Sequence, residues 1–193
     1  MDLAMDKLEI KHNKAKKMML WVGMISMAMT FAGLTSAYIV SSTRADWLSQ
    51  FEVPSAFGIS TMIILFSSFT FYFAKKSLWA ENIKQTKTLI LTTFFLALSF
   101  VYFQFKGFSD IIVQGYYFTG AESSITTSFL YVLVLLHLAH LFAGMIVLSV
   151  IYIRLLRGSY LGSNKLGFEL AHLFWHFLDV LWIYLYLFVL LYR

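Results

Sequence analysis

Five runs of apolar residues, at 18–41, 57–74, 88–104, 125–153 and 168–192, take up most of this chain. A bilayer is crossed by about 20 such residues, with a range of roughly 17–25. Inside hydrocarbon every backbone N–H and C=O must find its partner within the spanning element, so each run reads as a helix. With 60% hydrophobic and 13% charged residues, the chain carries about half the charge of a soluble domain, which has ~25%. The sequence therefore predicts an all-α, polytopic bundle of five transmembrane helices. The single proline, Pro54, lies between the first two runs with Arg44, Asp46 and Glu52, in what reads as an ordinary external turn. There is no internal repeat and no long linker, so residues 1–193 read as one transmembrane domain.

The charges between the runs alternate. Lys7, Lys11, Lys14, Lys16 and Lys17 precede the first run, and Arg44 alone follows it. Lys75, Lys76, Lys84 and Lys87 flank the next turn, then Lys106 alone, then Arg154, Arg157 and Lys165, and finally Arg193. By the positive-inside bias the N-terminus is cytoplasmic and the C-terminus outside. The first run is longer than a signal peptide's h-region of roughly 7–15 residues, so it reads as a retained anchor. The net charge of +5 needs no nucleic-acid partner. With no cysteine there is no disulfide, iron–sulfur cluster, c-type haem attachment or thiolate copper site.

Polar residues inside the last two runs are the candidates for function. A charge at bilayer depth costs about 2.5–3.5 kcal/mol on insertion scales, so such groups face protein, water or a cofactor. At the helical period, Glu169, His172, His176 and Asp179 share one face of the fifth helix, and Trp175 and Trp182 extend it. His137, His140 and Gly144 share a face of the fourth, where the glycine admits a close neighbour. Counted at about 1.5 Å per residue from the cytoplasmic end, His140 and Asp179 lie roughly 20 and 16 Å deep, near enough to meet. The plainest reading is hydrogen bonding across helices. Haem ligation, a copper or non-haem iron site and a proton relay stand beside it. The aromatic residues read mainly as lipid-facing bulk and interfacial belts, and Lys75, Lys76, Lys84 and Lys87 serve either topology or anionic lipid.

These segments resemble subunit III of haem–copper cytochrome c oxidases, in its short five-helix bacterial form. The run from Gly167-Phe168-Glu169 to Trp175-His176-Phe177-Leu178-Asp179-Val180-Leu181-Trp182 is similar to that family's last helix, a G-F-E start followed by W-H-F-x-D-x-x-W. His137, His140 and Gly144 match its H-x-x-H-x-x-x-G, and Phe31-Ala32-Gly33-Leu34 with Ala37-Tyr38 matches its first helix. Ser67-Ser68 fits as well. Two positions depart: Met27 and Gly107 stand where the family's patterns carry glutamate. Proton-handling roles proposed for those acids do not carry over, which leaves Glu169 and Asp179.

The resemblance implies an accessory subunit without redox centres in a bacterial inner membrane. Haem and copper would sit on partner subunits I and II of a proton-pumping terminal oxidase that passes electrons from cytochrome c to O₂. Its own ligands would be phospholipid, and its further neighbours other respiratory-complex subunits. His137, His140, Gly144, Glu169, His172, Trp175, His176, Asp179 and Trp182 would form an inter-helix polar network and subunit contact, with no catalytic, cofactor or metal residue among them. A quinol oxidase subunit and a nitric-oxide-reductase-associated protein are the rivals within reach of the family. A freestanding membrane haem or quinone protein and a small transporter are the rivals of other classes.

Overall fold

A computed structural model describes residues 2–44, 47–48, 53–118, 120, 124–158, 160 and 165–192, with side chains from Ile10 onward. Among the described residues the chain is helical, in five elements: α1 (Asp2–Ser41), α2 (Ser55–Trp79), α3 (Ile83–Val113), α4 (Ile125–Leu156) and α5 (Leu166–Leu191). All five are long and apolar enough to cross a membrane. Asp46 and Glu52, assigned to an external turn from sequence, lie outside the described residues. Pro54 stands at the N-cap of α2.

The helices outrun the apolar segments that predicted them. Hydropathy falls where charge begins, but the helix continues because a lysine stem can lie along apolar surface while its ammonium stays wet. So Lys75 and Lys76 belong to α2, and Lys84 and Lys87 to α3. Lys106, expected in a loop, also belongs to α3, because Phe108 and Ile111 beyond it are buried and hold the helix to the bundle.

Local chemistry sets the ends. After α2, Glu81 N–H bonds the Leu78 carbonyl and Asn82 N–H bonds that of Ser77. This Schellman pattern puts Glu81 in the left-handed region at φ 59°. Asn82 then caps α3 by accepting from Gln85 N–H at 3.2 Å. The resulting turn is short, so α2 and α3 form an antiparallel hairpin. Gly115 (φ 87°) and Gly158 (φ 73°) fill the corresponding left-handed position after α3 and α4, where a glycine carries no Cβ penalty.

α2, α3, α4 and α5 form a ring, each packed on two others, while α1 lies outside it against α4 and α5. Neighbours in the ring run antiparallel: Phe57 meets Phe108 while Thr70 meets Thr93, Phe100 meets His137 while Phe108 meets Tyr131, His137 meets Trp182 while Gly144 meets Leu178, and Phe57 meets Trp182 while Phe71 meets Phe168. The close α2–α3 seam comes from small or hydroxyl side chains recurring every seven residues on α2, at Ser60, Ser67 and Ala74, all fully buried. Thr86, Thr93 and Gly107 repeat the device on α3. Outward faces carry Trp21, Phe66, Phe69, Phe95, Tyr102 and Phe142, each more than half exposed. A fold that leaves phenylalanines on its outer faces while burying serines and threonines is built for a hydrocarbon solvent.

Candidate functional site

The α2–α5 seam holds a row of hydrogen bonds. Trp182 Nε1 donates to Thr61 Oγ1 at 3.0 Å, and Trp175 Nε1 to Ser67 Oγ at 3.1 Å. Both indoles are essentially fully buried, so each needs such an acceptor. Between them, Asp179 is 2% exposed and its Oδ2 accepts from Ser68 Oγ. Ser68 also meets His176 Nδ1 at 2.8 Å. His176 Nε2 lies 3.0 Å from His172 Nε2, one turn toward the α5 N-terminus.

This row is a constrained proton arrangement. A hydroxyl has one proton to give, so Ser68 donates toward one neighbour and accepts from the other. With the carboxylate as acceptor, His176 carries its proton on Nδ1 and takes a hydrogen bond from His172 at Nε2. With a protonated Asp179 as donor, every bond in the row reverses. The tautomers of both histidines are thus tied to the state of one buried acid. The second carboxyl oxygen, Oδ1, has no hydrogen-bond partner among the described residues.

α4 contributes differently. His137 is completely buried, with neither ring nitrogen hydrogen-bonded to any described residue; its ring leans on Trp182 at 5.1 Å and Phe100 at 6.1 Å between centroids. His140 points the other way: Nδ1 sits 2.7 Å from the Leu136 carbonyl, and the ring meets Phe31 of α1 edge-on at 5.8 Å. The meeting of His140 with Asp179 that their depths allow does not form, because α5 turns its acid to Ser68 of α2 and α4 turns this histidine to Phe31 of α1. Gly144 lies against α5, where an added Cβ would come within 3.0 Å of Leu178 and 3.4 Å of Trp175. Glu169 is half-exposed at the start of α5 and pairs with Lys17 of α1 at 2.9 Å.

The serines and threonines of α2 carry half of this seam, yet only Ser67 and Ser68 stand out in the sequence. Thr61 was missed, as was Ser60 on the neighbouring α2–α3 contact; the seven-residue recurrences 60/67 and 61/68 of small polar residues on α2 are the signal that could have found them. Gln104 of α3 was missed as a participant too. It is fully buried and donates to Ser60 Oγ at 2.8 Å. Among the described residues no three His, Asp or Glu side chains converge as metal ligands would. Each histidine and acid of the seam is spread along it rather than gathered at a point.

Five spanning helices around an interior of hydroxyls, histidines and one acid define a multi-pass α-helical membrane protein. The sequence profile of cytochrome c oxidase subunit III matches residues 6–193. Subunit 3 of the cytochrome bo(3) ubiquinol oxidase of Buchnera aphidicola (subspecies Acyrthosiphon pisum) is 28% identical over 94% of this chain and 89% of its own. Subunit 3 of the cytochrome c oxidase of Alkalihalophilus pseudofirmus is 32% identical over 81% of this chain and 73% of its own. A probable cytochrome c oxidase subunit 3 of Rickettsia prowazekii is 34% identical over 72% of this chain, which spans 48% of that longer relative. The chain belongs to the cytochrome c oxidase subunit III family. With its five spans and bacterial relatives, it is a multi-pass protein of the bacterial inner membrane.

Proposed function

We propose that the chain is an accessory subunit of a proton-pumping haem–copper terminal oxidase, packed beside subunits I and II and holding no redox centre of its own. Electrons would pass from cytochrome c to O₂ on those partners. The α2–α5 seam supports this reading most directly: its acid and its two tryptophans are engaged by hydroxyls of α2. Such a seam braces helices. The lysine-rich ends would face the cytoplasm, which puts the N-terminus inside and the C-terminus outside. The aromatic outer faces would meet lipid and neighbouring subunits.

A quinol-oxidising complex is the second reading, favoured by the end-to-end similarity to a ubiquinol oxidase subunit. The donor is chosen on other subunits, so the two readings make the same demand on this chain. Purification through a tag on this chain in mild detergent, followed by identification of the chains that come with it, tests the proposal. A haem–copper catalytic subunit should co-purify, and assay of that complex with reduced cytochrome c and with quinol then separates the donors. Recovery of the chain alone from membranes that contain the oxidase would refute it.

A further inference from the structure

His137 takes no part in the α2–α5 seam. Its ring is completely buried, and neither nitrogen has a hydrogen-bond partner among the described residues. An imidazole carries at least one N–H in either charge state, and a neutral one adds a lone pair. A bare buried donor costs its full desolvation, so such groups are met by protein or by ordered water.

A second orphan lies one turn away. Gln104 of α3 is fully buried, and its Nε2 donates to Ser60 Oγ of α2. That bond leaves the other end of the amide, Oε1, as an acceptor, and Oε1 has no partner among the described residues. Gln104 follows Phe100 by one helical turn, so the two share a face of α3. Phe100 is the α3 residue whose ring meets His137. Side chains on a helix lean toward its N-terminus. Because α3 and α4 run antiparallel, His137 leans toward the level of Gln104 and Gln104 leans back toward that of His137. Yet no hydrogen bond joins them. The packing has slack beside them: a void of about 20 Å³ lies against Trp182, on which His137 leans, and Val134, one turn before His137. A water needs about 10–15 Å³ on this measure.

We infer that the centre of the ring binds an ordered water between His137 and Gln104. The water accepts from an imidazole N–H and donates to Gln104 Oε1, which satisfies an orphan on each helix at once. Through the Gln104–Ser60 bond it ties α4 to α3 and α2. The site is thus a polar clasp of three helices on the side of the ring away from Asp179's row. It depends only on the ring of α2 to α5, so it stands or falls separately from the oxidase reading.

The test is water-edited solid-state NMR of the full-length chain in lipid bilayers, with histidine and leucine isotopically labelled. Signals of His137 are identified by their loss in His137→Phe. Polarisation from water should reach the carbon-bound ring protons of His137 several-fold faster than the methyl groups of Leu141 and Leu185, which are as deeply buried. Gln104→Met, of similar length but with no amide acceptor, should slow that transfer to the level of the leucines. Ser99→Ala, on the exposed face of α3, should leave it unchanged. In equilibrium unfolding, His137→Phe and Gln104→Met should be coupled by about 2-fold or more in the folding equilibrium, although the two side chains share no direct hydrogen bond. Transfer to His137 no faster than to the leucines would overturn the inference, and this comparison decides even where a variant fails to fold. Transfer undiminished by Gln104→Met, or strict additivity of the two variants, would overturn it as well.

Discussion

Gly107 gives the sharpest packing prediction. It stands where α3 crosses Phe57 of α2, and a Cβ built there would lie 2.8 and 2.9 Å from two ring carbons. The ring must withdraw by about half an ångström to regain ordinary contact, and overpacking of this kind costs ~1–3 kcal/mol. Phe57 has little room to retreat: it is 2% exposed, edge-on to Phe108, and tilted against Trp182, which Thr61 anchors. Helix propensity opposes the clash, since alanine is favoured over glycine by ~0.8–1 kcal/mol. Gly33 supplies the control, because it lies in the middle of α1 with nothing within 4 Å of an added Cβ. Gly33→Ala should therefore show the propensity gain alone. The difference between Gly107→Ala and Gly33→Ala isolates the packing term, ~1–3 kcal/mol, or roughly 5- to 150-fold in the folding equilibrium. Equilibrium unfolding of the purified chain in mixed micelles measures it. Phe57→Leu, by removing the ring, should recover most of the difference in the double variant. Equal shifts for the two alanines, or no coupling to position 57, would refute the reasoning. The same contact explains why an acid is absent here: a glutamate would need far more room than a methyl group.

Three further outcomes follow from the contacts. Asp179→Ala should weaken assembly with partner subunits, and the chain's own stability by about 1–3 kcal/mol, because a buried hydrogen-bond acceptor is lost. Met27→Ala, at a half-exposed α1 position, should change both far less, and equal effects in co-purification yield would count against the assignment. Trp182→Phe should cost about 0.5–1.5 kcal/mol in the same unfolding assay, a modest loss because Thr61 Oγ1 still donates to the Phe57 carbonyl at 2.7 Å. Lys17→Ala should lower stability by under about 1 kcal/mol, because the Lys17 and Glu169 side chains are 52% and 37% exposed; a larger loss at moderate salt would show that this pair fastens α1 to the ring.

Span number was legible as a periodic signal, and so was the side of α5 that carries His172, His176 and Asp179 toward α2, whereas Glu169 leaves that row to pair with Lys17 of α1. An apolar run ends in a charge, and three ionisable groups at helical spacing mark a side. The ends of α3 were not legible, since hydropathy tracks the solvent while the helix tracks Phe108 and Ile111. The partner of Asp179 was hidden for another reason. Depth along two helices says when groups can meet, but the rotation of each helix decides whether they do. Here the close α2–α5 seam presents Ser68 to the acid, while the ring of Phe31 takes His140 toward α1. Hydroxyl residues are weak signals singly, because a serine or threonine in a helix can bond its own preceding carbonyl, as Ser149 and Thr93 do.

In the proposed reading, Asp179, His172 and His176 brace α5 against α2 in a subunit whose redox chemistry lies on its partners. Haem, copper and iron content should be measured on the purified oxidase before and after this chain is stripped from it by detergent. All redox metal should stay with the remaining subunits, and the released chain should be colourless. One equivalent of haem or metal leaving with the chain would contradict that reading.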